Sequence, residues 1–182
     1  MRRSSPSRLA LAGRHLASIL LLPFVVTVLV PVSLLSRPGD TRWAADGALA
    51  PIVRAAGLIA FGAGIALFAW CVALFVRVGK GTLAPWDPTR ALVAAGPYRH
   101  VRNPMIIGVA LILAAEALYF RSWRLTAWSG TFVLVNHFYF IALEEPGLRR
   151  RFGESYRRYS AEVPRWLPRI GRWRSRSARP RR

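Results

Sequence analysis

Polar side chains able to hold a small charged molecule gather in two stretches of the second half of this chain. In the first, Tyr98-Arg99-His100-Val101-Arg102-Asn103 precedes Pro104. Proline favours the first position of a helix, and the unbonded backbone N–H groups there attract anions, so Arg102 suits a carboxylate or a phosphate. In the second, Glu144-Glu145-Pro146 closes an apolar segment that carries Asn136, His137 and Phe140. His137 and Glu144 are seven residues apart, two helical turns, and so share a face. A carboxylate there runs against the basic trend around it and suits a cationic group, and His137 is the candidate for steering a proton. Plainer readings stand beside these: a juxtamembrane arginine, a histidine bonded to a neighbouring helix, and a glutamate pair marking the membrane edge. Glu116 lies apart from both stretches and reads as a structural hydrogen-bonding residue.

Other chemistries find little support. The chain has no His-Glu-x-x-His, no Gly-x-Ser-x-Gly elbow, no Rossmann fingerprint and no Cys/His cluster, so no metal is expected. Cys71 is the single cysteine, which rules out an internal disulfide and reads as a small packing residue. Gly57, Gly62 and Gly64 lie inside an apolar run with no strand before them, so they read as sites of close helix packing. Gly79-Lys80-Gly81-Thr82 lacks the spacing of a phosphate-binding loop.

The elements that must position these residues are helices in a bilayer. Over half of the 182 residues are hydrophobic, and they fall in long runs: Leu16–Leu35, Ile52–Val76, Met105–Phe120 and Leu125–Leu143. Runs near 20 residues are what a hydrocarbon core about 30 Å thick selects. The fold class expected is all-α: a polytopic membrane protein of about four transmembrane helices plus a C-terminal amphipathic interfacial helix. Pro23 and Pro31 should bend the first span, and the first apolar run is too long for a cleaved signal peptide. After Pro146, Leu148, Phe152, Tyr156 and Tyr159 recur at helical spacing through Arg-rich sequence, an amphipathic helix with its aromatics toward lipid or toward the bundle. Pro164-Arg165-Trp166-Leu167-Pro168 should end it.

The net charge of +19 is distributed in alternate segments. Arg2, Arg3, Arg8 and Arg14 precede the first span; Arg77, Lys80, Arg90, Arg99 and Arg102 lie between the second and third; the tail after the fourth is Arg-dominated. By the positive-inside rule this is a multi-pass protein of the cell (inner) membrane with both termini cytoplasmic, Arg121 and Arg124 being the exceptions. Basic flanks of spans are topology signals and contacts to anionic lipids, so nucleic acid is not an expected partner. The organisation expected is a basic tail over 1–13, two helices over 14–76, a core over 77–170 with two helices and the interfacial helix, and a basic tail over 171–182.

A ligand with one carboxylate, one ammonium and a permanent cation matches an arginine-plus-glutamate pocket, and S-adenosylmethionine is such a ligand. Methyl transfer from it is a direct displacement that needs positioning and electrostatics, not a metal. The ordered motifs Gly96-Pro97-Tyr98, Arg102-Asn103-Pro104-Met105, Glu144-Glu145-Pro146-x-Leu148, Phe152-Gly153-x-x-Tyr156-x-x-Tyr159 and Val163-Pro164-Arg165-Trp166-x-Pro168 resemble the isoprenylcysteine carboxyl methyltransferase family and, behind it, the integral membrane phospholipid methyltransferases. The resemblance covers roughly residues 77–170. It implies a helical membrane methyltransferase that takes S-adenosylmethionine from the cytosol and a lipophilic acceptor from the bilayer. Carried over by position, it implies a cofactor cleft of Tyr98, Arg102, Asn103, Pro104, Met105, Ile106, Glu144 and Glu145, supported by Tyr156 and Arg165. Arg102, His137 and Glu144 are the candidate catalytic residues. Asn103 stands where the family has histidine, and Phe140 stands where the isoprenylcysteine enzymes have an arginine one turn before the glutamates. The acceptor, whether carboxylate, amine or thiol, therefore stays open. Two rival readings remain: an NADPH-dependent membrane reductase of the sterol-reductase type, and a non-catalytic membrane partner.

Overall fold

The computed structural model describes residues 21–39, 49–75 and 92–171 and the single positions 43, 47, 77 and 173. These residues form helices and connecting turns with no β-strand among them. The expectations for the 1–13 tail, for the Gly79–Thr89 part of the loop and for most of the 171–182 tail lie outside the described residues.

Helix α1 covers Leu21–Leu35 and contains a π-helical stretch at Val25–Leu29. In that wider winding the Val30 amide bonds Val25 O, five residues back, so Pro31 would pair with Val26 O if it had an N–H. The Trp128 indole donates to that carbonyl instead, at 3.1 Å. Carbonyls at the C-terminus of α1 and in the turn just past it are satisfied from the same neighbour. Arg124 donates to Leu34 O at 3.2 Å, Arg37 O at 2.8 Å and Pro38 O at 2.8 Å. A cation on the open end of a helix is the favoured polarity, and this is the work done by an arginine that the topology rule leaves unexplained.

Helix α2, Leu49–Leu74, is the one described helix long and apolar enough to cross a bilayer by itself. Helix α3, Pro104–Phe120, lies along it as its main packing partner. The contact is set by glycine. A Cβ on Gly64 would stand 2.8 Å from Gly108 O, and one on Gly57 would stand 3.1 Å from Ala115 O. Gly62, expected to join this packing, faces open space with nothing within 4 Å. Two positions away from Gly64 along a helix means the far side of it.

Helix α3 begins at Pro104, as the proline rule predicts, and ends at Arg121, whose φ of 54° is left-handed. Glu116 near its far end has Oε2 buried without a hydrogen-bond partner, so the structural bond expected of it is not made by that oxygen. Ser122 then starts α4, Trp123–Tyr139, its hydroxyl accepting from Leu125 N at 3.2 Å. A π turn, Phe140–Glu144, joins α4 to α5, Glu145–Glu162.

Helix α5 carries the expected aromatic face, and it is the protein side that takes it. Tyr156, Tyr159 and Val163 are buried together, with Leu92, Leu148, Phe152 and Trp173 against them. Gly153 interrupts the helix at φ 52°, a value glycine reaches without steric penalty. Past Glu162 the chain turns extended at Val163 and runs back as a strap over the turn that precedes α3.

Candidate functional site

The strap and the turn are stitched by their backbones. Arg102 N donates to Pro164 O at 2.9 Å, Arg169 N to His100 O at 2.9 Å and Trp173 N to Arg99 O at 3.1 Å. The His100 ring returns the favour to the same residue, Nδ1 lying 3.0 Å from Arg169 O. A carbonyl only accepts, so that nitrogen carries the hydrogen. From α5, the Tyr159 hydroxyl donates to Tyr98 O at 2.7 Å. The Gly96–Arg99 turn thus has the strap on one side and α5 beneath it.

Glu145 is the centre of charge. Arg165 grips its carboxylate with both prongs, Nε to Oε1 at 2.7 Å and Nη2 to Oε2 at 3.0 Å, while Arg102 Nη1 reaches Oε1 at 3.0 Å. Burial by itself would push the carboxyl up, but the Arg165 hydrogen bond and the charges of Arg102 and Arg165 hold it below the ordinary range. A glutamate half-surrounded by two guanidinium groups stays ionised.

Glu144, one residue earlier, has no hydrogen bond or ion pair among the described residues. Burial, then the negative charge of Glu145 beside it, push its carboxyl up to about 7. Tyr98 and Tyr156 sense that carboxyl as well. Burial is the main reason both phenols lie above their usual value, with Glu144 among the further causes for each. Tyr98, Tyr156, Glu144, Glu145, Arg102 and Arg165 therefore make one neighbourhood, drawn from the turn, α5, the π turn and the strap.

Two donors in that neighbourhood are buried and unpartnered: Arg102 Nε and Asn103 Nδ2. Asn103 sits just before α3 but does not cap it with its side chain. An orphaned buried donor is uncommon enough to need a reason.

Other expected site residues are placed differently. Met105 packs into the apolar cluster of Cys71, Val93 and Tyr98, so it forms the floor under Tyr98. Pro104 is buried and Ile106 half-buried. Asn136 bonds its own helix, Nδ2 to Phe132 O at 2.8 Å. His137 does not stack above Glu144 on a regular helix: the π turn puts an extra residue into the intervening turn, so the two-turn repeat slips. His137 instead receives the Trp166 indole N–H on Nδ1 at 2.9 Å, and Phe140 stands edge-on to the same indole, centroids 6.0 Å apart.

A separate cavity of about 450 Å³ opens between α2 and the turn, with Leu67, Trp70, Arg99, His100 and Ile107 in its wall. Of the expected site residues only Pro104 lines it. The Cys71–Tyr98 contact, the Glu145 clamp and the Trp166–His137 bond were not legible as pairs in the sequence. Each joins segments 20 or more residues apart, and the Val163-Pro164-Arg165-Trp166-x-Pro168 motif was the one available signal for the strap.

A protein of Haemophilus influenzae, described only as an "Uncharacterized protein", is 42% identical over 65 residues, which is 35% of this chain and 100% of that protein. No solved structure matches. The family model described as phospholipid methyltransferase matches residues 52–155, from α2 through the turn, Arg102, His137 and both glutamates into α5. That is more than half of the 182 residues, and the chain belongs to the phospholipid methyltransferase family.

Proposed function

We propose that this protein is a polytopic membrane methyltransferase that moves a methyl group from S-adenosylmethionine to a lipophilic acceptor drawn from the bilayer. The observation that carries the reading is a set of uncommitted polar groups within one family-matched segment: the Glu144 carboxyl, which has no hydrogen bond or ion pair among the described residues, and the buried donors Asn103 Nδ2 and Arg102 Nε. Donors for a carboxylate and an acid for an ammonium are the two halves of an amino-acid zwitterion, so the residues present suit this cofactor. When bound, it supplies an electrophilic methyl group on a positively charged sulfur.

Each residue then has a task. Arg102 and Asn103, at the positive end of α3, take the cofactor's carboxylate. Glu144 takes its ammonium, and an ionised ligand group there favours the carboxylate form that burial disfavours. Tyr98, Pro104, Met105 and Ile106 wall the cleft. Glu145 serves it through Arg102 and Arg165, holding the strap against the turn. His137 faces the acceptor.

Four spans support access from both phases. Only 17% of the most apolar stretch of α2 is buried within the protein, and Ile52, Leu58, Ile59 and Ile65 face outward, which suits lipid better than water. Helix α4 continues into the π turn, and Trp123 to Leu143 is roughly 32 Å at 1.5 Å per residue, with Glu144 at its edge. Helix α3, at 17 residues, is roughly 25 Å and needs slight thinning of the bilayer or snorkelling at its ends. Both termini are assigned to the cytoplasm on the charge distribution.

The test is calorimetric titration of the full chain in detergent with S-adenosylmethionine and with NADPH, alongside Glu144→Gln. Binding of the first, lost or at least tenfold weaker in the variant, is the expected result. Binding of NADPH alone, or equal binding by both proteins, would overturn the reading.

A further inference from the structure

The Trp166–His137 contact has chemical content beyond packing. An indole N–H donates only, so the ring nitrogen that receives it, Nδ1, bears no hydrogen. A neutral imidazole in that bond carries its hydrogen on Nε2. The rings also lie nearly parallel, 28° apart with centroids at 6.1 Å, and Phe140 braces the indole from the side, so the ring has one orientation. Among the described residues no protein group bonds Nε2. Trp166 lies beyond the family-matched residues, in the strap that Glu145 holds through Arg165.

We infer that Trp166 is a positioning residue that fixes His137 as its Nε2–H form, making it a hydrogen-bond donor to an anionic oxygen of the lipophilic acceptor and not a base. This rests on the proposed reading in one respect, that the acceptor reaches this end of α4. A ring whose free edge is N–H has no lone pair to take a proton from an amine or a hydroxyl. It holds an oxygen that already carries charge, such as a carboxylate or a phosphodiester. His100 is set the opposite way, its Nδ1 bearing the hydrogen toward Arg169 O.

The test reads the ring directly. Nitrogen spectra of isotope-labelled histidine in the full chain, reconstituted in nanodiscs, distinguish the two tautomers, with His137 assigned by its loss in His137→Gln. Wild type should show Nε2–H, and Trp166→Phe, which keeps a flat ring but no donor, should show a mixture. Adding dodecyl phosphate or sodium dodecanoate should shift the Nε2 signal, and dodecyltrimethylammonium should not. The stronger of the two anions identifies the acceptor oxygen. An Nδ1–H ring in wild type, an unchanged tautomer in Trp166→Phe, or a response to the cation alone would overturn the inference. In turnover, Trp166→Phe should raise the acceptor KM roughly tenfold, the size of one hydrogen bond to a charged group, with cofactor affinity unchanged. His137→Leu, which has no N–H donor, should raise the acceptor KM at least as much as Trp166→Phe does; a large loss of kcat at unchanged KM would make the ring a base. The spectra need no cofactor, so absence of methyl transfer would sink the proposed function and leave the tautomer decided.

Discussion

Replacing Glu145 with alanine should cost this protein more stability than any other single charge removal among the described ion pairs. The carboxylate accepts three charge-assisted hydrogen bonds, at 2.7, 3.0 and 3.0 Å, and its side chain is 8% exposed. The partner arginine side chains are 13% and 21% exposed, so neither can fully recover its hydration when the acid is gone. Removing one member of a buried pair costs about 3–5 kcal/mol. The partial exposure of Arg165 puts this case at the low end, about 3 kcal/mol, before the penalty is softened by water entering the gap. For a chain of this length, 1 kcal/mol moves Tm by about 2–4 °C, so the expected drop is roughly 6–12 °C. The internal control is Glu154→Ala. Its pair with Arg158 has the same 3.0 Å separation but side chains 61% and 66% exposed, which makes it worth well under about 1 kcal/mol. Thermal unfolding in one detergent, followed by near-ultraviolet circular dichroism, compares the three proteins. The difference between wild type and Glu145→Ala should also shrink in acid. The folded carboxyl titrates below its ordinary range, so its stabilisation is present above that range and is lost as pH falls through the folded value. If Glu145→Ala shifts Tm no more than Glu154→Ala does, the clamp is not what holds the strap.

Glu144 should behave in the opposite sense. Its folded value near 7 lies above the ordinary 4.5, so the folded state binds the extra proton and stability falls as pH rises between those values. Glu144→Gln should therefore flatten the stability profile from pH 5 to 7 and unfold at a higher temperature than wild type at pH 8, measured by the same melts. A lower Tm at pH 8 would contradict the burial argument. Gly64→Ala should destabilise by about 1–3 kcal/mol, because the new Cβ meets backbone 2.8 Å away. Gly62→Ala, facing open space, should be neutral or stabilising by up to about 1 kcal/mol, and reversal of that order in thermal melts would refute the packing assignment. Tyr159→Phe removes the 2.7 Å bond to Tyr98 O and leaves a buried carbonyl unpaired, so about 1–3 kcal/mol should be lost, read as Tm, with an unchanged melt as the contrary result.

Local chemistry was readable from the chain alone. Pro104 starts its helix because a proline needs no N–H donor there, and Leu148, Phe152, Tyr156 and Tyr159 form one face because their spacing follows the helical repeat. The all-helical fold class, and the gathering of polar residues at one end, follow from the same one-dimensional rules. Tertiary structure decided which of two adjacent glutamates would be consumed. Alternation around a helix separates Glu144 from Glu145, but only the strap returning from Val163 brings Arg165 to one of them and Trp166 to His137. A π turn decided that His137 and Glu144 would not stack, since helix periodicity assumes a regular winding that no single residue type guarantees. Spacing along a chain determines which side chains share a face; which partner reaches that face depends on where distant segments return, and that is a property of packing.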